Sequence, residues 1–487
     1  MNKKPNILLF FADQVRPDIL GCCGGPAKTP NLDWIASQGT RFTNCATPAP
    51  LCVPARVCLA TGKYAHNTGA WNNYPFTLSP NAHTWMQQIR NAGYHTALFG
   101  KTHLHASHDM IGSEDWLHAY GYDDVNEVDG PHSNCCSRSY MTKRWDAKGL
   151  LEAYRADMCS RPGAIVKPSP LPLEEYYDVY VGQRGKEWLE AYQDEKPWFL
   201  SISFPGPHEP WDTPEPYASM YKPEDMPAPR PALAQPAKDR PQGFFDGMAS
   251  KAKKRTDSKT ALQLRADYAG GVTLIDDQIG QVLDVLGERG ELDNTIIAFT
   301  SDHGELNGDY GYLNKRCFFH PVVDVPLLIR VPGLPGGQVS NSLVQMCDLG
   351  PTLAQLAGND VDYEQFARSL CPVLNNPKTE IRSCVISEHG GEVMYANHEW
   401  KMLLNKEGQV TQLFHLTEDP DESLNLAGLP ESLETETRLR LLALEELMKN
   451  TVRSAVVSQG DNPPCSRTAE KTPEENLPRG VDWIASL

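Results

Sequence analysis

The sequence predicts an α/β fold, and three observations carry the prediction. Three apolar runs, NILLFFA at residues 6–12, PWFLSISF at 197–204 and NTIIAFT at 294–300, are hydrophobic throughout rather than alternating, as strands buried on both faces are. Each run ends in polar residues rich in Asp, His or Glu. Amphipathic stretches of helical length separate them. The longest spans residues 260–289, with Leu274, Ile275, Ile279, Val282 and Leu286 on its buried side. Strands alternating with helices build a sheet covered by helices.

A chain of 487 residues exceeds one simple core, so a large domain with a smaller companion is expected. The composition, 40% hydrophobic and 22% charged, is that of a soluble protein. A net charge of −17 argues against nucleic acid or an anionic membrane surface as partner. An anionic substrate would therefore need a local cluster of Arg, Lys and metal. The 13 cysteines include the adjacent pairs Cys22-Cys23 and Cys135-Cys136 but no C-x2-C spacing, so reduced thiols are expected rather than a zinc site. The apolar run at the start is cut short by Asp13 and no run is long enough to cross a membrane. A cytoplasmic location is the expectation.

The elements follow in order. The strand at 6–12 ends in Asp13-Gln14. Ligands of open α/β sheets bind beyond the carboxyl ends of strands, which places Asp13 for a metal; its other possible duty is a turn or helix cap. A short helix starts at Thr29-Pro30-Asn31. Cys52-Val53-Pro54-Ala55-Arg56 stands before a helix-like run at 57–61. Pro54 suits a first helical turn, where its missing N–H would be unpaired anyway. That puts Cys52 near a helix N-terminus, where the dipole favours an anion. Arg56 lies about one turn further in, able to reach back to the same anion. Residues 83–92 read as a helix closed by Gly93, and 94–99 as a strand leading into Gly100-Lys101-Thr102-His103.

Residues 106–172 lack periodicity and read as an excursion that roofs the site. Residues 173–193 are helical. The strand at 197–204 leads to Pro207-His208-Glu209-Pro210, and residues 211–259, Pro-rich and then Lys-rich, read as a surface loop. Asp276 and Asp277, on the long helix, are expected to be structural or solvated. The strand at 294–300 ends in Ser301-Asp302-His303-Gly304. A second strand-end carboxylate beside a nitrogen donor suits a divalent metal. Lys315-Arg316 precedes a strand at 325–329. Short strands at 383–388, 400–404 and 413–416 and a helix at 432–450 follow, then a polar tail.

C-x-P-x-R followed by Thr61-Gly62-Lys63, then G-K-x-H, P-H-x-P and Asp302-His303-Gly304, resemble in this succession the motifs of the type I sulfatases. TPNLDWIASQGTRF at 29–42 and Asp348-Leu349-Gly350-Pro351-Thr352-Leu353 extend the likeness over roughly residues 5 to 430. The resemblance implies an alkaline-phosphatase-like fold, a mixed sheet sandwiched by helices. It implies a catalytic domain over 1–376, an α+β subdomain of antiparallel strands over 377–450, and a tail over 451–487 that wraps the surface or a neighbouring subunit of a homo-oligomer. The activity it implies is hydrolysis of sulfate monoesters of small molecules or sugars, in a hydrolase of bacterial type.

In that family a formylglycine-generating enzyme oxidises the cysteine, here Cys52, to 3-oxoalanine (formylglycine), whose hydrated aldehyde is the nucleophile. The metal, Ca2+ before Mg2+ or Mn2+, would sit on Asp13, Gln14, residue 52, Asp302 and His303. Lys101, Arg56 and Lys315 would neutralise the sulfate oxygens, His208 would protonate the leaving oxygen, and His103 would serve as base. The chain departs from the family at Ala55, where Ser is usual, at Ala60, where Leu is usual, and at Gln14, where many members carry Asp. The last change removes one negative charge and should weaken the metal or shift its identity.

A phosphonate monoester hydrolase or phosphodiesterase of the same superfamily shares these motifs. Asp13-Gln14 and Asp302-His303 lean that way, and Gly100-Lys101-Thr102-His103 leans toward a sulfatase. A third reading, a non-catalytic binder of sulfated ligands, requires Cys52 to stay a thiol. Trp71, Asn72, Asn73, His105, Tyr310 and Arg316 stand near the motifs and are candidates to line the pocket for the alcohol. Aryl, alkyl and sugar sulfates all fit.

Overall fold

The apolar runs read from the sequence form the middle of one sheet in the computed structural model, which describes residues 4–161, 165–231 and 256–453. The strands are β1 (Asn6–Ala12), β2 (Thr40–Ala46), β3 (His95–Gly100), β4 (Asp124–Glu127), β5 (Trp198–Phe204), β6 (Thr295–Ser301), β7 (Leu327–Arg330) and β8 (Gln338–Gln345). Their order is β4-β3-β5-β1-β6-β7-β2-β8. All neighbours run parallel except β7, which is antiparallel to both β6 and β2. The carboxyl ends of β1, β3, β5 and β6 therefore share one edge, and the polar motifs follow these four ends.

Every residue of β1, β5 and β6 is buried, because helices cover both faces. Ile7, Leu9 and Phe11 of β1 face a core shared with α2 (Cys52–Thr61), α4 (Trp85–Asn91) and the helix Leu349–Leu356. Leu8, Phe10 and Ala12 face the other core, with α1 (Pro30–Gln38) and the helices Tyr177–Ala191 and Ser258–Glu288. A short α3 (Ala65–Thr68) follows α2. Asp276 of the long helix accepts the N–H groups of Asn31 and Leu32 at 3.1 and 2.8 Å, so it caps α1 across the core. Asp277 accepts the Tyr217 hydroxyl at 2.5 Å.

A second, antiparallel sheet has the order β12-β11-β10-β9, from β9 (Val385–His389), β10 (Glu392–Ala396), β11 (Trp400–Leu404) and β12 (Val410–His415). The helix Leu433–Lys449 packs Leu439 and Ala443 on its Met402 and Leu413. The chain through Thr451 packs as one unit.

β2, β4, β8 and β10 went unread in the sequence. β2 (TRFTNCA) and β8 (QVSNSLVQ) are polar and only partly buried, since they lie at one side of the sheet. β4 sits inside the excursion at 106–172, which docks this strand on β3. The helix expected at 173–193 breaks into a turn at Leu173–Glu175 and the helix Tyr177–Ala191. Residues 232–255 of the loop expected at 211–259, and the tail from 454, lie outside the described residues. Among the described residues no helix is long and apolar enough to cross a membrane.

Candidate active site

Cys52 is the first residue of α2, and all ten residues of this helix are buried. The cap comes from outside the helix: Asn73 Oδ1 accepts the Val53 N–H at 3.1 Å. Cys52 Sγ lies 3.1 Å from His303 Nε2 and 3.9 Å from Asp13 Oδ1. Burial would raise its thiol pKa, but Lys315, His303 and Lys101 outweigh burial and hold it well below the ordinary value. An anionic group at this position is thus favoured by its surroundings.

Asp13 follows β1 and Asp302 follows β6, so the β1–β6 pairing brings the two carboxylates together. One ligand atom each from Asp13, Cys52, Asp302 and His303 lie within 4.8 Å of one another, all four residues buried. His303 Nδ1 is 2.9 Å from the Gly304 carbonyl oxygen, which can only accept. Nδ1 therefore carries the proton in the neutral ring, and Nε2 turns a lone pair to the cluster. Two carboxylate oxygens, an imidazole nitrogen and residue 52 fit a divalent cation.

Arg56 stands behind this cluster. Its Nε donates to Asp302 Oδ2 at 2.8 Å, Nη2 to Asp13 Oδ2 at 3.0 Å, and Nη1 to the Lys101 carbonyl at 2.7 Å and Ser203 Oγ at 3.2 Å. The guanidinium expected at the sulfate is instead occupied by the two carboxylates, because β1 and β6 present both to the same side of α2. Lys101 Nζ lies 2.7 Å from Asp13 Oδ2. Gly100, at φ +113, lets the end of β3 lie close against β5, where a Cβ would strike the Ser203 carbonyl oxygen. Burial and Cys52 push the Asp13 carboxyl upward, but Lys101, His208 and Arg56 hold it well below the usual carboxylate range.

His103 helps to lower the Cys52 thiol pKa and turns Nε2 toward Asp129 Oδ1 at 3.6 Å. Asp129 also takes His108 Nδ1 at 2.8 Å. Burial raises the Asp129 carboxyl, but His103 and His108 hold it ionised. His208 Nδ1 donates to the Glu209 carbonyl at 2.6 Å, and its ring meets His132 edge-on at 6.2 Å. Lys315 Nζ donates to Gln14 Oε1. Burial would lower the Lys315 pKa, but Cys52, Glu209, Asp13 and Asp302 raise it, so it stays an ammonium. Gln14 (φ 72) and His103 (φ 56) both adopt left-handed backbone conformations, strain that sits where strands hand over to the site.

The structure thus joins Asp13, Gln14, Cys52, Arg56, Lys101, His103, His208, Asp302, His303 and Lys315 in one network. Several residues expected to line the pocket are engaged elsewhere. Asn73 caps α2. His105 pairs with Glu127 at 2.7 Å and meets Trp116 edge-on. Tyr310 packs on Phe319 with the rings tilted at 31° and their centroids 4.4 Å apart, and donates to the Asp421 carbonyl at 2.8 Å. Arg316 donates its backbone N–H to the Pro50 carbonyl at 3.1 Å. Trp71 is half-buried on the loop after α3, and Asn72 beside it is exposed. Asp129, Glu209 and Glu305 were missed. Glu209 and Glu305 lay inside or just beyond motifs already recognised, and that adjacency was the available signal. Asp129 had none, because only the docking of β4 on β3 brings it to His103.

Fold and site together define a hydrolase of anionic esters: a mixed α/β sheet with carboxylates, lysines and a helix-N-terminal cysteine at its carboxyl edge. A family model described as Sulfatase matches residues 5–359, and one described as N-sulphoglucosamine sulphohydrolase, C-terminal, matches 308–450. The chain belongs to the sulfatase family, whose members typically carry a metal and a formylglycine. It is 30% identical over 471 residues to an arylsulfatase of Clostridium perfringens, covering 91% of this chain and 94% of that one. It is 28% identical to a choline-sulfatase of Rhizobium meliloti, covering 88% and 83%. Among solved structures it resembles the phosphonate monoester hydrolase of Agrobacterium radiobacter, with TM-score 0.74, 26% identity and 92% and 95% of the two chains covered.

Proposed function

We propose that this chain hydrolyses sulfate monoesters at residue 52, releasing inorganic sulfate and an alcohol. One observation carries the reading: Cys52 Sγ lies against His303 and Asp13 at the N-terminus of α2, with Lys101 and Lys315 charged beside it. Asp13, Asp302, His303 and residue 52 would hold the divalent cation, Ca2+ first because carboxylate oxygens dominate, with Mg2+ or Mn2+ also accommodated. Bound there, the cation supplies Lewis-acid stabilisation of oxygen charge. Oxidation of Cys52 by a formylglycine-generating partner would supply an aldehyde whose hydrate carries two hydroxyl groups.

The chain's own residues do the rest. Lys101 and Lys315 offset the charge of the ester, which otherwise repels a nucleophile, and they do so in a buried site where such interactions are strongest. His103, steadied by Asp129, takes a proton from residue 52. His208 gives one to the leaving oxygen. Arg56 holds Asp13 and Asp302 in place. The relatives are named for aryl, amino-sugar and choline esters, so the sulfate group is the shared element and the reading is built on it.

The chain co-produced with a formylglycine-generating enzyme should show conversion of Cys52 in the peptide mass spectrum. It should then cleave para-nitrophenyl sulfate faster than the matching phenylphosphonate ester, with Cys52→Ala inert. Faster phosphonate cleavage would move the assignment to the phosphonate hydrolases, which the structural likeness to the Agrobacterium enzyme makes the second reading. An unmodified Cys52 in active protein would overturn the mechanism.

A further inference from the structure

The Gln14 side-chain amide is fully committed. Its Nε2 donates to Glu209 Oε2 at 2.9 Å and to Glu305 Oε2 at 2.6 Å, and its Oε1 accepts from Lys315 Nζ. All four residues are buried. The Lys315 ammonium can only donate, so the amide has one satisfactory orientation, with its oxygen toward Lys315 and its N–H groups toward the two glutamates.

The carboxylates are themselves fixed. Glu305 Oε1 accepts the N–H groups of Asn307, at 3.1 Å, and of Asn314. Glu209 Oε2 lies 3.4 Å from His208 Nδ1. The left-handed backbone of Gln14 is pinned on both sides, its N–H by Asp302 Oδ1 at 3.0 Å and its carbonyl by the Tyr268 hydroxyl at 2.5 Å. A strained residue held this way is over-determined by its surroundings.

The two site lysines differ in consequence. Lys101 forms an ion pair with Asp13 at 2.7 Å. Lys315 makes no ion pair among the described residues; a neutral amide holds it. An acidic side chain at position 14 would neutralise Lys315 directly and add charge to the carboxylate cluster.

We propose that Gln14 is a positioning residue for Lys315 and not a metal ligand: Glu209 and Glu305 orient its amide, and the amide places an unpaired ammonium at the anion site. This rests on the reading of Lys315 as a binder of the ester's anionic group.

The test uses the full-length, formylglycine-bearing, metal-loaded chain with inorganic sulfate as probe. Two quantities are measured, the sulfate inhibition constant against para-nitrophenyl sulfate and the metal content by mass spectrometry. Gln14→Met, which keeps the volume, should retain the metal stoichiometry and bind sulfate roughly tenfold more weakly, the size of one hydrogen bond to a charged group. Gln14→Glu should bind sulfate more weakly still. Gln14→Met combined with Lys315→Ala should be no weaker than Lys315→Ala alone, since one interaction is removed in both. If Gln14→Met does not fold, the shorter Gln14→Asn reads the same pair of quantities.

Metal loss in Gln14→Met with sulfate affinity intact in the loaded fraction would make Gln14 a ligand and overturn the proposal. Additive losses in the double variant, or no change at all, would overturn it too. A wild-type chain that neither binds sulfate nor cleaves the sulfate ester would instead refute the functional reading, before any variant is compared.

Discussion

Arg56 shows how a residue's type can be legible while its direction is not. The C-x-P-x-R spacing puts it one turn beyond Cys52, yet its fork turns to Asp302 and Asp13 rather than outward. A guanidinium can hold two carboxylates at once through a planar fork, and an ammonium cannot match that geometry. Arg56→Ala should therefore destabilise the protein by about 3–5 kcal/mol, the usual cost of stranding a buried charge. Arg56→Lys should recover only part of it. Urea denaturation at neutral pH measures both, and a loss under about 1 kcal/mol for Arg56→Ala would contradict the assigned role. Asp129, Glu209 and Glu305 belong to the same lesson: a carboxylate's partner is set by which strand end or loop comes to lie beside it.

At the scale of elements, two contacts join parts far apart in sequence. Asp276 caps α1 from the long helix. Asp276→Ala should cost about 1 kcal/mol, the usual value of a helix N-cap, read as a lower urea midpoint. His66 in α3 ties the large sheet's side of the molecule to β9: Nδ1 lies 2.6 Å from Glu388 Oε1, and the His66 N–H donates to Glu388 Oε2 at 3.0 Å. Burial lowers the His66 pKa, but the bond to Glu388 and its charge outweigh this, and the net shift is upward. A raised folded-state pKa adds stability that is complete below the unfolded value near 6.5 and is lost as pH rises through the folded value. The melting-temperature difference between wild type and His66→Gln should thus be largest below about pH 6 and shrink as pH rises through the folded value. A difference that grows with pH would show the sign to be wrong.

Across the whole molecule, the site draws on β1, β3, β5 and β6, on α2, and on the loop bearing Lys315. A cation bound by Asp13, Asp302 and His303 would tie two central strands at their carboxyl ends. Because such a site exists only in the folded chain, binding stabilises by linkage, about 2.7 kcal/mol at a hundredfold excess over the dissociation constant. Melting temperature should fall on treatment with a chelator, recover with added Ca2+, and become insensitive to both in Asp302→Asn. A melting temperature that ignores chelation in the wild type would argue against a cation at this cluster.

The sequence by itself determined the central strands, the long helices and the motif residues. Fully buried strands must be apolar throughout, and motif chemistry depends on residue type at short spacing. The edge strands β4 and β8, and β2 beside β8, escaped it because partly exposed strands carry mixed residues that also suit loops. Only the tertiary structure decided that Arg56 faces Asp13 and Asp302, that Asn73 caps α2, that Asp129 reaches His103, and that Gln14 bridges two glutamates to Lys315. Each of these contacts joins segments that only the pairing of β1 with β6, the docking of β4 on β3, or the packing of loops at one sheet edge brings within a hydrogen bond.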